Sequence, residues 1–361
     1  MSLVLDHVSK MVGTSPHILD VSLRLEKGSL NVLLGPTLAG KTSLMRLMAG
    51  LDRPTTGTVI FNGVDVTHAP VRGRSVAMVY QQFINYPTLT VYENIASPLR
   101  VARLDRAEID RRVREAAHLL KLESMLERSV LQLSGGQQQR TAIARALVKR
   151  AECVLMDEPL ANLDYKLREE LREELPRIFA QSGAVFVYAT TEPSEALLLG
   201  GNTAVLHEGS LVQFGPTLEV YRRPANQLTA AVFSDPPLNA MMAEKRDGGI
   251  YHGGSRITLA EAVIHAADGP CTLGFRAHHL VLQQPHSQAI SLAGVVAVSE
   301  ITGSESFVHI EAAGQRFVAL SPGVERHEPG SPITAYVDPR HLFIFDAAGR
   351  LALAPDAERR G

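Results

Sequence analysis

The 361-residue sequence predicts an α/β domain with a largely parallel sheet, followed by a small β-barrel or sandwich. Three observations carry this. Over the first two-thirds, short apolar runs alternate with segments whose apolar residues recur at helical spacing, the pattern of strand–helix–strand units. A glycine-containing turn joins one of these runs to a helix. Past the paired prolines of "SDPPLNAM", Ser234–Met241, the pattern changes to short β-type segments separated by Gly and Pro. The expected domains are therefore 1–234 and 235–361.

The elements follow in order. Leu30–Leu34, "LNVLL", reads as a buried strand, and Lys41–Ala49, "KTSLMRLMA", as a helix. Arg106–Leu122 places apolar residues at helical spacing with charges between them. Cys153–Met156, "CVLM", and Ala184–Tyr188, "AVFVY", are strand-like and rich in β-formers. "LEVYRRPANQLTAAVF" reads as helical pieces leading to the prolines. "CTLGFR", "LAGVVAVSEI", "SFVHIEA", "QRFVALS", "PITAYV" and "HLFIFD" then supply short strands at the spacing of a barrel or sandwich. There is no internal repeat and no low-complexity segment.

Composition narrows the function. Hydrophobic residues make up 45% and charged residues 20%, the balance of a soluble globular chain with a real core. A net charge of −2 supplies no basic face to neutralise phosphates, so nucleic acid is not an expected partner. Cys153 and Cys271 fit no metal spacing; Cys153, inside "ECVLMDEP", reads as a small core residue. So few cysteines fit a reducing compartment. "MSLVLDHVSK" lacks the basic flank and apolar core of a signal peptide, and no apolar run approaches the ~18 residues that span a bilayer. Work at a membrane would need other subunits to hold the chain there.

The chemistry begins at "GPTLAGKTS", Gly35–Ser43, which matches G-x-x-x-x-G-K-[ST] between a strand and a helix. Backbone N–H groups and the helix N-terminus there point at phosphates. Gly35 and Gly40 allow the close backbone approach, and Pro36, Thr37, Leu38, Ala39 and Ser43 complete the cradle. Lys41 would reach the β- and γ-phosphates, and the Thr42 hydroxyl can ligate Mg²⁺. "CVLMDEP" ends a strand in two acids. Asp157 can hold Mg²⁺ through water, and Glu158 can act as general base on the attacking water. Alone, two acids at a strand end fit a solvated turn or a helix cap. After a phosphate loop in the same sheet, the hydrolytic reading is preferred.

"LSGGQQQR", Leu133–Arg140, fixes the subclass: the sequence resembles an ATP-binding cassette (ABC) subunit of a transporter. The resemblance implies an α/β P-loop nucleotide-binding domain with a helical subdomain, using ATP and Mg²⁺. It implies that Ser134, Gly135, Gly136 and Gln137 form a second anion site that closes on the γ-phosphate held by the opposite subunit. Gln81, in "MVYQQF", would sense Mg²⁺ and the γ-phosphate, and Asp164, in "LANLD", would lie near the dimer interface. "INYPTLTVYENIASPL" resembles the segment that meets a permease's coupling helices. "VYRRPAN", "SDPPLNAM", "GFRAHHL", "SEITGSES" and "HLFIFD" resemble the regulatory barrel of maltose-type importer ATPases, so the likeness spans almost the whole chain. An OB-like barrel alone would also suggest oligonucleotide binding, against which the near-neutral charge argues. The implied partners are a second ATPase subunit, two transmembrane permease subunits and, through the permease, a substrate-binding protein. The implied place is the cytoplasmic face of a bacterial inner membrane.

Two departures stand out. In "VYATTEPSE", Thr190, Thr191 and Glu192 stand where the family reads Thr-His-Asp. The missing histidine normally contacts the γ-phosphate and holds the water and the Glu. Losing one such contact costs on the order of 10²–10³ in rate, by analogy with oxyanion-hole deletions. In "VSKMVG", Val12 takes the place of an aromatic residue that stacks on adenine. Such stacking is worth roughly 1–3 kcal/mol in nucleic-acid binders. Either part of it is lost or another group covers the base. Both departures lie on the half-site built on this chain's own P-loop, while the signature is intact. We therefore expect reduced hydrolysis in the weaker half of an unequal ATPase pair. A near-silent regulatory nucleotide-binding subunit is the alternative. A soluble cassette of translation or DNA repair is a third, without the tandem cassettes or coiled-coil insertions usual there. "GPTLAGKTSLMRLMAGLD" with "YATTEPSEA" resembles the ATPases of bacterial glycerol importers, making glycerol the expected cargo; glycerol 3-phosphate, an oligosaccharide or another polyol are the alternatives.

Overall fold

The apolar runs of the first two-thirds assemble into a six-stranded sheet in the order Ser210–Pro216, Asn202–His207, Leu30–Leu34, Val185–Thr190, Cys153–Asp157, Val76–Val79. All neighbours pair in parallel except the first two, which form an antiparallel hairpin. Leu30–Leu34, Cys153–Asp157 and Val185–Thr190 are buried almost throughout, as expected where helices cover both faces. The computed structural model describes residues 2–355 apart from 83, 162, 164 and 260–266, and the side chains of 167 and 180–182 are left aside.

A second, antiparallel sheet was not anticipated. Its order is Ser15–Glu26, Ser2–Val12, Thr56–Phe61, Val64–Asp65. Helix Lys41–Ala49 lies between the two sheets. Its Leu44, Met45, Leu47 and Met48 share one core with Leu3, Leu5, Val8 and Ile18 from the antiparallel sheet and Leu33, Leu155 and Val187 from the parallel one. Cys153 is fully buried in this core, as expected of a small apolar residue.

The helical part comprises Val91–Val101, Arg106–Leu119 and Gly135–Val148. The second stops at Leu119, short of the expected Leu122, because Lys121 takes a positive φ of 52°. Each helix has a side-chain N-cap: Thr90, Asp105 and Ser134. Helices Tyr165–Ser182 and Pro193–Leu199 flank the strand that leads to Thr190.

The chain divides into two compact units, Met1–Thr217 and Leu218–Gly361. Helix Gln227–Val232, its N-cap Asn226 and the preceding Ala225 bond within the second unit, for example Gln227 N–H to the Gly349 carbonyl at 2.8 Å. That unit holds two antiparallel sheets. One runs Ser255–Ile257, Gly249–His252, Asn239–Arg246, Gly269–Phe275, Phe343–Phe345, Leu351–Leu353. The other runs Leu280–Val281, Pro332–Val337, Ile290–Ile301, Glu305–Ala312, Gln315–Pro322, and its two edge strands approach each other to close it nearly into a barrel. Asn239 clasps the sheets together. Its amide donates to the Val318 carbonyl at 2.9 Å and accepts from the Val318 N–H at 2.8 Å.

Candidate active site

The parallel sheet delivers the predicted residues to the C-terminal ends of its strands, where α/β sheets bind ligands. Strand Leu30–Leu34 runs into Gly35, where a Cβ would collide with the Leu206 carbonyl. Gly40 sits at φ 99°, and a Cβ there would come within 3.0 Å of the His17 carbonyl. Gly40 is also the N-cap of helix Lys41–Ala49, so the helix begins with no capping side chain and its first N–H groups are available to an anion. Leu38, between the two glycines, also has a positive φ, 69°, and is 93% exposed.

Lys41 is buried. Its Nζ donates to the carbonyls of Gly35 at 2.8 Å and Pro36 at 3.1 Å and lies 3.7 Å from a Glu158 carboxylate oxygen. Burial lowers its pKa, and the carboxylates of Glu158 and Asp157 oppose that. The Thr42 hydroxyl donates to Asp157 Oδ2 at 2.7 Å. Asp157 is itself buried, which pushes its pKa up against the Thr42 bond and the nearby Lys41 charge. Glu158 has a positive φ of 45° and donates its N–H to the Ala189 carbonyl at 3.0 Å. Gln81 Nε2 donates to its carboxylate at 2.9 Å. Five residues from three separate segments of the sequence thus form one connected group. A hydroxyl, a buried carboxylate and an amide are hard oxygen donors of the kind Mg²⁺ takes, and a cation would relieve the burial of Asp157. These residues therefore fit Mg²⁺.

The signature begins its helix through a capping box. Ser134 Oγ accepts from the Gln137 N–H at 3.4 Å, and the Gln137 side chain accepts from the Ser134 N–H at 3.0 Å. Ser134 and Gly135 are exposed and Gly136 is half-buried, so this turn faces outward.

The comparisons with known proteins agree with this arrangement. Residues 18–161 match the model of the ABC transporter family, and residues 273–345 match that of the TOBE domain. The trehalose/maltose import ATP-binding protein of Thermococcus litoralis is 35% identical over 94% of this chain and 96% of its own length. The chain belongs to the ATP-binding subunits of ABC importers. The sn-glycerol-3-phosphate import ATP-binding protein of Paracoccus denitrificans is also 35% identical, over 95% of this chain and 97% of its own. A solved dimeric cassette in a post-hydrolysis state with ADP and Pi superposes with a TM-score of 0.55 at 28% identity, covering 60% of this chain and 98% of that one. Like its family, this ABC subunit is an ATPase coupled to transport. It uses ATP and Mg²⁺ and works with membrane permease subunits and a binding protein, peripheral to the membrane. Among the described residues, no helix is long and apolar enough to cross a bilayer.

Thr191 is exposed at the end of strand Val185–Thr190. The neighbouring Thr190 is buried and donates to Glu195 at 2.6 Å. Val12 is half exposed, near the turn that joins the first two strands, where it pairs with Ser15; the same hairpin brings the His17 carbonyl against Gly40. Asp164 lies outside the described residues.

The cassette also uses residues that motif reading passed over. Gln139 is fully buried, and its amide donates to the Pro159 carbonyl, tying the signature helix to the turn after Glu158. Asn85 Nδ2 donates to the Gln138 carbonyl at 2.8 Å, tying the same helix to the segment after Gln81. Arg172 bonds Glu192 at 2.7 Å and Glu195 at 2.9 Å, and Glu195 also accepts from Tyr188, which clamps the backbone on either side of Thr191. Three glutamines in a row carry no sequence signal of which one turns inward; Glu195, by contrast, stands at a readable spacing after "TTEP".

Proposed function

We propose that this subunit energises import of a small polyol, glycerol first among them, and that its P-loop serves the weaker half of an unequal pair of cassettes at the cytoplasmic face of a bacterial inner membrane. The observation that carries the reading is the connected set Lys41, Thr42, Gln81, Asp157 and Glu158, complete beside a Thr at position 191. In this reading, Gly35–Ser43 hold the phosphates, with Lys41 releasing its carbonyl partners to bind them. Glu158 accepts a proton from the attacking water, and Gln81 keeps that carboxylate aimed. Thr42, Asp157 and Gln81 would hold Mg²⁺, which offsets phosphate charge when bound. The Thr191 hydroxyl is left as a neutral stand-in for an imidazole. Val12 gives the base an apolar contact only. Ser134, Gly135, Gly136 and Gln137 complete the partner's site.

The route to the permease runs through a groove of about 230 Å³ between the parallel sheet and the helical part, lined by Met78, Tyr86, Pro98, Val101, Arg145 and Lys149 among others. Tyr86 and Val101 are exposed there, and Arg145 sits 5.1 Å above the Tyr86 ring. We assign this groove to the coupling helices. For cargo, relatives named for trehalose/maltose and for sn-glycerol 3-phosphate support a sugar or polyol, and "TTEP" with "GPTLAGKTS" favours glycerol.

The test is MgATP turnover of the purified chain beside Thr191→His and Glu158→Gln, with and without a histidine-bearing cassette. Weak turnover that rises on adding that cassette, and about tenfold or more in Thr191→His, is the expected result. Equal turnover in both forms would remove Thr191 as the limiting departure. Uptake of labelled glycerol, but not of glycerol 3-phosphate, should fall in cells lacking this chain; the reverse would make glycerol 3-phosphate the cargo.

A further inference from the structure

We propose that Leu38 holds the opposite cassette's signature turn away from this chain's phosphate cradle, so that this half-site closes poorly on its nucleotide. The proposal rests on the reading above, that the cradle binds ATP and a second cassette covers it.

Leu38 has φ 69°, in the left-handed region where L side chains crowd their own backbone. The same loop meets the same need with glycine at Gly40, φ 99°. Strained residues persist where the surroundings compensate for them. Leu38 has no such compensation within its own chain, because it is 93% exposed. Packing within the chain therefore does not account for a leucine at this position, which leaves its isobutyl group facing whatever covers the loop.

The side chain stands at the rim of the cradle, between the carbonyls that Lys41 binds and Gly40, which starts the helix. The surface proposed to cover that rim is known from this chain's own copy. It is the small, polar turn of Ser134, Gly135 and Gly136, and it offers a hydroxyl and amide groups. An isobutyl group against such a turn fills the space an anion's oxygens would use and gives the N–H groups no acceptor. Leu38 therefore opposes closure. Beside Thr191 and Val12 it is a third feature that weakens the same half-site, and it acts on closure, whereas Thr191 acts on the chemical step.

The experiment uses the full chain carrying Glu158→Gln to slow hydrolysis. Binding of MgATP and ATP-dependent dimerisation are measured by sedimentation, alone and with excess histidine-bearing cassette. Leu38→Gly should tighten dimerisation about tenfold, the order of one N–H left without an acceptor. Leu38→Ala should recover most of that gain, since it removes the bulk that opposes closure. If MgATP binds but dimerisation is equal in both forms, weaker in Leu38→Gly, or absent from both, the proposal is overturned, and weaker dimerisation would make Leu38 a contact that favours closure. Failure of every form to bind MgATP would overturn the nucleotide reading itself.

Discussion

Asp157 shows at the scale of one residue how the site trades stability for function. Its carboxylate is buried, and burial raises its pKa above the ordinary carboxylate value despite the Thr42 bond and the Lys41 charge. A group whose folded pKa is raised stabilises the fold below its unfolded pKa and loses that contribution as pH rises through the folded value. At neutral pH the ionised Asp157 is therefore a cost to the nucleotide-free chain. Asp157→Asn keeps an acceptor for Thr42 and removes the charge. It should raise the melting temperature of the free chain by a few degrees while abolishing Mg²⁺-dependent turnover, and the gain should shrink as pH is lowered through the carboxylate range. Calorimetry between pH 4 and 8 checks this; a lower melting temperature at pH 8 would contradict it. Lys41, Thr42 and Asp157 stand out in the sequence by their fixed spacings, and the fold brings them together. Gln139 was not, because "QQQ" reads identically at each position and only the phase of the helix turns the third glutamine inward.

Among the elements, helix Val91–Val101 depends on one buried amide. Asn94 donates to the carbonyls of Tyr86 at 3.1 Å and Thr90 at 2.9 Å and accepts from the Tyr86 N–H at 2.8 Å. A side chain thus satisfies loop backbone that no strand reaches. Asn94→Ala should cost about 1–3 kcal/mol and open the 86–90 segment to proteolysis, measured by denaturant unfolding and limited digestion. Three strands of the parallel sheet, around Leu30–Leu34, Cys153–Asp157 and Val185–Thr190, were legible because they are continuous apolar runs. The antiparallel sheet was not. Ser2–Val12 contains irregular register after Leu5, and His7 has φ 49°, so the alternation that would betray a half-buried strand is broken. In the second unit, the strands at "CTLGFR", "SFVHIEA" and "QRFVALS" were readable from short β-rich runs. Asn239–Arg246, "NAMMAEKR", was not, because its apolar residues stand in one block, Ala240 to Ala243, without alternation, and Asn239 makes its bonds through a side chain.

For the whole molecule, the proposal is that nucleotide chemistry at one end of the sheet is felt in the groove beside Tyr86 and Val101. The physical link is the signature helix, tied to the turn after Glu158 through Gln139 and to the segment after Gln81 through Asn85. Val101→Asp places an unpaired charge where an apolar partner is expected. Stimulation of turnover by the permease should fall about tenfold, measured as the ratio of turnover in the assembled transporter to that of the free chain. An unchanged ratio would remove the groove from the coupling route.

The carbonyls of Gly35 and Pro36 have a final consequence. They accept from Lys41, so its ammonium is solvated by the protein's own backbone. On the proposed reading, nucleotide entry would be an exchange in which phosphate oxygens replace these backbone oxygens around one cation. The loop thus holds its cation through two backbone oxygens that no substitution at Gly35 or Pro36 removes.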